Sequence, residues 1–307
     1  GNRCTAGSMW NNYLPNPHFV ESFETATGEK FNWDNYLPGY STMKEKERVV
    51  FFLRDGLSAA EKERMTAYGA DMSKYLDSGN EARIKKAYES RDPRLQMAVI
   101  TPYAQYNGAS SGIAHTYTLR WPYRGSDSAE PFDIRTDTND KFYYLWRKFV
   151  PEGLEQTERD TYGLDIPLIR YAEVLLLKAE ALNEWGSTHE SEAIRCVNEV
   201  RRRAGHVELN NATYPATKVN GQSDLRERIR NEYYWEIGGE DSMYFHELRW
   251  GTWKDKKFDN NRNGLMQMWG ETTYTWYWLG DQCWSWPIPA KEMEMNSNLE
   301  QNEGWIN

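Results

Sequence analysis

The chain has 307 residues, enough to form one large domain or two ordinary ones, and its formal net charge is −9. This acidic balance argues against nucleic acid as a partner, because phosphate backbones are bound by clustered basic side chains. Three cysteines without a CxxC spacing predict neither a disulfide framework nor a zinc site. The apolar run Val174–Leu177 is far too short to span a bilayer. We predict no cofactor.

Aromatic residues are unusually frequent, with 14 Trp, 20 Tyr and 10 Phe. Many of them lie in polar, glycine-rich stretches where core residues are not expected. Flat aromatic faces suit the C–H patches of sugar rings, and they also fill ordinary cores. The composition therefore favours a sugar-stacking surface without establishing one.

Residues 1–56 are predicted to be loop-rich, with one short helix within Pro15–Glu24. Residues 57–90 are predicted to be helical, because Ser58 and Glu61 form a capping box and an apolar stripe then runs until Gly79. A second short helix follows and stops at Arg91–Arg94. The stripe consists of Met65, Tyr68, Met72, Tyr75 and Leu76, and the second helix carries Ile84, Ala87 and Tyr88.

Residues 101–165 are predicted to form a second loop-rich region, because Gly, Ser and Pro interrupt residues 101–140 and no period is sustained. Long irregular stretches inside a compact domain are usually functional, so we predict that this loop faces a ligand. The competing interpretation is that its rings fill a gap against the helices and that its polar residues are solvated. The candidate ligand-binding residues are the rings Trp121, Tyr106, Tyr123 and Tyr117 and the polar side chains Asn107 and Arg120.

Residues 165–250 carry the clearest helical pattern. Asp165 can cap a helix, Pro167 suits its first turn and Gly186 ends it. The segment Ser187–Glu190 forms a second capping box and begins a helix that ends at Gly205. The predicted inward residues are Leu168, Tyr171, Ala172, Leu175, Ala179 and Leu182 in the first helix and Ala193, Val197, Val200 and Ala204 in the second.

These two helices are similar to a tetratricopeptide unit, whose period is about 34 residues. A third helix is predicted from Asp224, with Leu225, Ile229, Tyr233 and Ile237 inward. Because such repeats bury their faces by stacking, a single pair needs further repeats or the long loops to cover it. We predict a mainly α fold of tetratricopeptide-like helix pairs with long, irregular, aromatic-rich loops.

Residues 284–307 are predicted to form a clasp. Alternating prolines in Trp286-Pro287-Ile288-Pro289 hold the backbone extended and remove two donors, which is typical of a stiff covering segment. A second group of rings is predicted to pack beneath the clasp: Trp269, Tyr274, Trp276, Tyr277, Trp278, Trp284 and Trp286.

Two patterns could signal catalysis or metal binding, and both favour a simpler interpretation. Glu173 and Glu180 share a predicted helix face, roughly 10 Å apart along its axis, which a glycosidase could use. Arg170 precedes Glu173 by about one turn, so an ion pair is favoured and no enzyme activity is predicted. Asp259–Gly264 fits half of a calcium loop, but Gly270 stands where a bidentate Glu is required. No metal site is predicted.

Four sequence blocks occur in a recognisable order. They are RDPRL; IPLIRYAEVLLLKAEALNEWG followed by EAIRCVNEVRRRAG; ERIRNEYYWEIGGED with a later RWG; and WPIPAKEMEMNSNLEQNEGW. Together they resemble the C-terminal portion of the SusD/RagB family. The third block departs from the family pattern, with Tyr233 and Met243 where Arg is common and His246 where Asp is common. We therefore expect weakened ion pairing around three acidic residues, Glu232, Glu236 and Glu240.

The resemblance implies a lipid-anchored outer-membrane protein at the cell surface. Such a protein captures an oligosaccharide or polysaccharide and delivers it to a SusC-like, TonB-dependent outer-membrane transporter. The resemblance also implies that residues 1–307 form the C-terminal region of the protein, with an N-terminal half, signal and anchor before residue 1. A peptide- or protein-binding repeat module is the alternative, and a glycoside hydrolase is a weaker one.

Overall fold

The computed structural model describes residues 14–110, 113–124, 130–134, 141–150, 152, 165, 167–240, 242–258 and 264–305. The chain divides into two compact units. The first comprises Gly1–Glu240 with Met266–Glu271, and the second comprises Asp241–Leu265 with Thr272–Asn307. The fold is mainly α, as predicted. Within these described ranges, no helix is long and apolar enough to cross a bilayer.

The first unit begins with five short helices. They are α1 (Pro17–Ser22), α2 (Glu45–Arg48), α3 (Ala59–Tyr68), α4 (Asn80–Glu89) and α5 (Pro93–Ala98).

The capping box that precedes α3 is present. The Glu61 N–H donates to Ser58 Oγ at 3.3 Å, and the Ser58 N–H donates to Glu61 Oε2 at 2.9 Å. The prediction that this helix continues to Gly79 is wrong. Gly69 adopts φ +111°, a left-handed conformation that ends the helix, and Met72–Lys74 forms a separate 3-10 turn.

Two antiparallel strand pairs follow α5. β1 (Val99–Ile100) pairs with β4 (Leu145–Trp146), and β2 (Gln105–Ser110) pairs with β3 (Ile113–Thr118). The prediction that residues 101–140 have no regular period is therefore wrong for the β2–β3 hairpin.

The longest helices of the first unit are α6 (Tyr171–Trp185), α7 (Glu190–Ala204) and α8 (Gln222–Ile237). α6 packs against both α7 and α8. Of the residues predicted to face inward, the following are buried: Leu175, Ala179 and Leu182 on α6, Ala193, Val197 and Val200 on α7, and Leu225, Ile229, Tyr233 and Ile237 on α8.

The start of the helix pair differs from the prediction at two points. Arg170 is extended, so α6 begins at Tyr171 rather than near Asp165, and Leu168 and Tyr171 are exposed instead of inward. Ser187 begins a 3-10 turn, and α7 starts at Glu190 without a side-chain cap. The end of α7 matches the prediction, because Gly205 is left-handed at φ +74°.

The segment Arg91–Arg94 joins α1 to α5 and to the long helices. The Arg91 guanidinium donates to the Val20 and Phe23 carbonyls at the end of α1, at 2.6 Å and 2.9 Å, and lies over the Phe31 ring. Asp92 caps α5 by accepting from the Arg94 N–H at 2.9 Å. Pro93 occupies the first turn, where no donor is needed.

Glu232 of α8 is the centre of a buried ion network. Its carboxylate, fully buried, accepts from Arg94 Nη1 at 2.6 Å and from Arg201 Nε at 2.9 Å. Arg94 also binds Asp92 at 2.6 Å, and Arg201 binds Glu24 at 2.8 Å. The network therefore connects α5, α7 and α8 with the residues that follow α1.

The expectation of weakened pairing around the three acidic residues of α8 and its end is wrong. Glu236 binds Arg170 at 2.8 Å and also pairs with Arg203. Glu240 binds Arg170 at 2.7 Å and Lys148 at 2.5 Å. Cations from distant parts of the sequence neutralise these carboxylates.

The second unit contains α9 (Ser242–Trp250), α10 (Trp253–Lys257), β6 (Thr272–Tyr274) and α11 (Ala290–Met295), and β5 (Leu265–Met266) lies where the chain crosses between units. The unit contains a cluster of half-buried rings in edge-to-face and tilted contacts: Tyr244, Trp253, Phe258, Trp278 and Trp284.

The clasp is held by side-chain amides. The Ile288 N–H donates to Gln301 Oε1 at 2.7 Å, and Gln301 Nε2 donates back to the Ile288 carbonyl at 3.0 Å. Asn302 Nδ2 donates to the Trp286 carbonyl at 2.6 Å. Side-chain amides thus form hydrogen bonds with the backbone groups next to the two prolines, which have no N–H to donate themselves.

We expect Glu232→Gln to destabilise the protein by about 3–5 kcal/mol, because removing one member of a buried ion network leaves the charges of the others uncompensated. Denaturant unfolding measures the effect. Glu208→Gln is the matched control: Glu208 also binds an arginine, Arg202 at 2.9 Å, but at the surface, so little change is expected. Equal stability of the two variants would contradict the conclusion that Glu232 is the centre of a stabilising ion network.

Acid should weaken the same network. Burial raises the pKa of the Glu24 carboxyl, but the hydrogen bond from His206 and the charge of Arg201 outweigh it, so the pKa lies below its ordinary 4.5. Burial also raises the pKa of Asp92, and the charge of Arg94 outweighs it, so that pKa lies below 3.8. The stability that such a carboxylate contributes is fully present above its pKa in the unfolded chain. It is lost as the pH falls through its lower pKa in the folded protein.

We therefore expect the free energy of unfolding to decline once the pH falls below 4.5, and to decline further below 3.8. Urea titrations across this range measure the decline, and Glu24→Gln should make it shallower. If the stability of the wild type stays constant or rises as the pH falls across this range, the ionised carboxylates of Glu24 and Asp92 do not stabilise the fold.

Candidate functional site

The β2–β3 hairpin divides the predicted ligand-binding residues between two faces. Tyr106 lies opposite Tyr117, and Asn107 lies opposite Thr116. Because successive side chains of a strand point to opposite faces, the two tyrosines share one face and Asn107 lies on the other. The tyrosines are buried in the core, and Asn107 is exposed.

The burial of Tyr106 and Tyr117 leaves them no ring face for a ligand in this conformation. Both are fully buried, and Phe132 packs on Tyr117 with centroids 5.5 Å apart. Of the two interpretations of these rings, the structure favours the one in which they fill the core. We therefore remove them from the candidate site.

Trp121 and Tyr123 lie on the turn that follows β3, and both are half-buried. Trp121 stacks on Phe142 with centroids 5.7 Å apart and planes at 21°, and it meets Tyr123 edge to face at 5.9 Å. The backbone is also fixed, because the Arg54 N–H donates to the Trp121 carbonyl at 2.6 Å. The two rings therefore form a pre-positioned pair at the edge of the core.

Arg120 supports this turn instead of lying free for a ligand. Its guanidinium pairs with Asp133, which is buried, and lies 3.6 Å from a carboxylate oxygen of Glu81. Asp133 Oδ2 also accepts from the Arg124 N–H at 2.8 Å. One buried carboxylate thus holds both ends of the segment that carries Trp121, and we assign Arg120 a positioning role.

Asn107 is connected through Glu152 and Arg147 to an open cleft that the sequence did not indicate. The Asn107 N–H donates to Glu152 Oε2 at 3.4 Å, and Glu152 Oε1 accepts from Arg147 Nε at 2.7 Å. Arg147 in turn lines an open cleft of about 550 Å³. The cleft is lined by Glu89, Arg91, Pro93, Gln96, Met97 and Arg147. Its side chains offer hydrogen-bond donors and acceptors of the kind that orient a hydroxyl-rich ligand.

The rings near the clasp divide into one that is buried, two that are half-buried and four that are exposed. Trp269 lies in the core of the first unit, and Trp278 and Trp284 lie in the ring cluster of the second. Four others are exposed, so the prediction that they pack beneath the clasp is wrong for them: Tyr274, Trp276, Tyr277 and Trp286. Trp286 is oriented by its indole N–H, which donates to the Tyr244 hydroxyl at 3.2 Å.

The partners of Arg170 differ from the predicted one. Arg170 binds Glu236 and Glu240, so the expected Arg170–Glu173 ion pair is replaced. No group of three or more metal-ligating side chains occurs among the residues that the structure describes. The half calcium loop Asp259–Gly264 falls mostly outside those residues.

The model of the SusD family matches residues 2–305. The chain belongs to the SusD family. The residues matched include both units of the fold and the turn that carries Trp121.

Two curated relatives are similar over parts of the chain. The SusD-like protein P38 of Formosa agariphila is 32% identical over 139 residues, which is 45% of this chain and 24% of the relative. The starch-binding protein SusD of Bacteroides thetaiotaomicron is 28% identical over 161 residues, which is 52% of this chain and 25% of the relative.

Solved structures share the fold. A SusD-like protein of Bacteroides fragilis has a TM-score of 0.54 at 19% identity, over 95% of this chain and 47% of its own. A SusD-like carbohydrate-binding protein of the same species has a TM-score of 0.50 at 21% identity, over 93% and 48%. The chain thus spans about half the length of these structures and matches about a quarter of the curated relatives.

Asp133→Asn should loosen the turn that carries Trp121, because the neutral amide loses its ion pair with Arg120. Hydrogen exchange at the Arg124 amide, which donates to this carboxylate, should become faster. Asp77→Asn is the control, because Asp77 also binds a cation, Lys62, but at an exposed position. Unchanged exchange at Arg124 in the Asp133 variant would show that the carboxylate does not hold the turn.

Proposed function

We propose that this protein binds an oligosaccharide or polysaccharide at the cell surface and delivers it to a SusC-like, TonB-dependent transporter of the outer membrane. Membership of the SusD family across residues 2–305 carries the proposal. A starch-binding relative and a carbohydrate-binding structural neighbour support the ligand class. In the cell, the protein is a lipid-anchored surface protein that binds glycans without cleaving them.

We assign sugar stacking to Trp121 and Tyr123. Their positions are fixed before a ligand arrives, by the stack on Phe142 and by the hydrogen bond from the Arg54 backbone. A ring that is already ordered loses little conformational freedom on binding, which favours affinity. Asn107 is the proposed polar contact, since it is exposed on the outer face of the hairpin.

Affinity electrophoresis and isothermal titration against a panel of polysaccharides test this function. The wild type should bind at least one glycan, and Trp121→Ala should weaken binding by roughly tenfold, which corresponds to about 1.4 kcal/mol of lost contact. Tyr123→Ala should weaken it less, because its ring is smaller. Trp185→Ala is the matched control, because it removes an exposed tryptophan from α6, outside the proposed site.

Two outcomes would contradict the proposal. Failure of the wild type to bind any glycan, together with tight binding to a peptide, would favour the peptide-binding alternative. Release of reducing ends from a bound oligosaccharide, abolished by a Glu→Gln change, would instead establish a hydrolase. Because Trp121 contributes to packing, melting temperatures should confirm that its variant remains folded.

A further inference from the structure

The open cleft of the first unit is lined by a buried arginine, Arg91, that has an unused donor nitrogen. The cleft lies where α4 ends at Glu89, α5 begins at Pro93 and the chain leaves β4 at Arg147. Arg91 is only 2% exposed, and its Nη1 has no hydrogen-bond partner among the residues that the structure describes. A buried donor without a partner is uncommon and points to a missing acceptor.

The partners of Arg91 are all neutral. Its guanidinium donates to two backbone carbonyls and lies 3.5 Å from the centre of the Phe31 ring. No carboxylate of the described residues lies within ion-pair distance of it, whereas Arg94, three residues further along, binds two buried carboxylates. Burial lowers the pKa of Arg91 to about 10, so the guanidinium is still charged at neutral pH. A buried charge of this kind is costly, and an anion in the cleft would offset the cost.

Arg147 provides further donors at the rim of the cleft. It is half-buried, and its Nε donates to Glu152 at 2.7 Å, its Nη1 to the Gln96 carbonyl at 3.3 Å and its Nη2 to the Gln105 carbonyl. A guanidinium has five N–H groups, so one on each terminal nitrogen is left after these bonds. The bonds fix the side chain before a ligand arrives, and a fixed, planar guanidinium suits an oxyanion.

The other charges of the cleft are balanced within the protein. Glu89 Oε1 lies 3.5 Å from Lys85 Nζ, and Glu152 Oε1 lies 2.7 Å from Arg147 Nε. The charge of Arg91 is therefore left over, and the cleft is locally positive. The chain as a whole is acidic, but charges more than about 8 Å away are largely screened at physiological salt. The local balance thus favours an anion.

We propose that this cleft binds an anionic substituent of the glycan, either a carboxylate or a sulfate ester, so that the ligand is an acidic saccharide. The inference rests on the proposed function, because it gives the chemical class of that glycan. The anion accepts N–H groups from Arg147 and is attracted by the buried charge of Arg91. Met97, which is 68% exposed, lines the cleft and offers an apolar surface to the sugar ring. Asn107 donates to the same carboxylate that fixes Arg147, which connects the cleft to the outer face of the hairpin.

Isothermal titration with small saccharides tests the cleft without a polymer. The anionic probes are galacturonate and galactose 6-sulfate, and galactose is the neutral probe, all at the same ionic strength. The wild type should bind at least one anionic probe roughly tenfold more tightly than galactose, which is the scale of one hydrogen bond to a charged group. Preference for galacturonate alone indicates a uronate ligand, and preference for the sulfate alone indicates a sulfate ester.

Arg147→Gln should weaken binding of the preferred anionic probe by roughly tenfold and leave galactose binding unchanged. Arg202→Gln is the matched control, because Arg202 also binds a glutamate at 2.9 Å but lies at the surface of α7, outside the cleft. Arg91→Met removes the buried charge and should abolish the preference for an anion. If the Arg91 variant does not fold, as judged by its melting temperature, the Arg147 variant decides.

Two results would overturn the inference. One is a wild type that prefers neither anionic probe over galactose. The other is an anion affinity that the Arg147 and Arg202 variants lower equally, which would show adventitious binding to surface charge. The polysaccharide panel keeps the proposed function separate. A protein that binds a neutral polysaccharide but prefers no anionic probe retains the proposed function and loses this inference. A protein that binds an anionic probe through Arg147 but binds no polysaccharide does the reverse.

Discussion

The buried carboxylate of Glu232 is the constraint on which the first unit depends. It is held between Arg94 of α5 and Arg201 of α7, and these arginines also bind Asp92 and Glu24. Burying several charges costs desolvation, which is recovered only when every member keeps its partners and its geometry. The network therefore fixes the relative positions of α5, α7 and α8 more sharply than apolar contacts alone, which tolerate sliding.

A second buried carboxylate repeats this principle on a smaller scale at the candidate site. Asp133 binds the Arg120 side chain and the Arg124 backbone, and the two residues flank the turn that bears Trp121. The rings are thus carried by a loop whose ends are fixed by charge and whose centre stacks on Phe142. A rigid frame with a few fixed, half-buried rings is suited to capture of a flexible chain of sugars, because the protein loses little freedom on binding.

The sequence predicts the long helices because their signals are local. In α7, for example, the apolar spacing and the glycine that ends the helix, Gly205, lie within a few turns of each other. The ion network is not predictable in this way, because Arg94 and Arg170 reach Glu232 and Glu236 from far away in the sequence. The burial of Tyr106 and Tyr117, by contrast, has a signal in the sequence. Alternation over Gln105–Asn107 and over Thr116–Thr118 places both tyrosines on one face, and a strand of that period buries one face.

The central claim is that a sugar ring stacks on the indole of Trp121 while the frame around it stays fixed. A crystal structure of the complex with an oligosaccharide selected from the binding panel tests it most directly. The account predicts a pyranose ring parallel to the Trp121 face at van der Waals distance, roughly 4 Å, with Arg120 still bound to Asp133. A bound sugar far from Trp121, or a Trp121 side chain that has turned into the core, would contradict it.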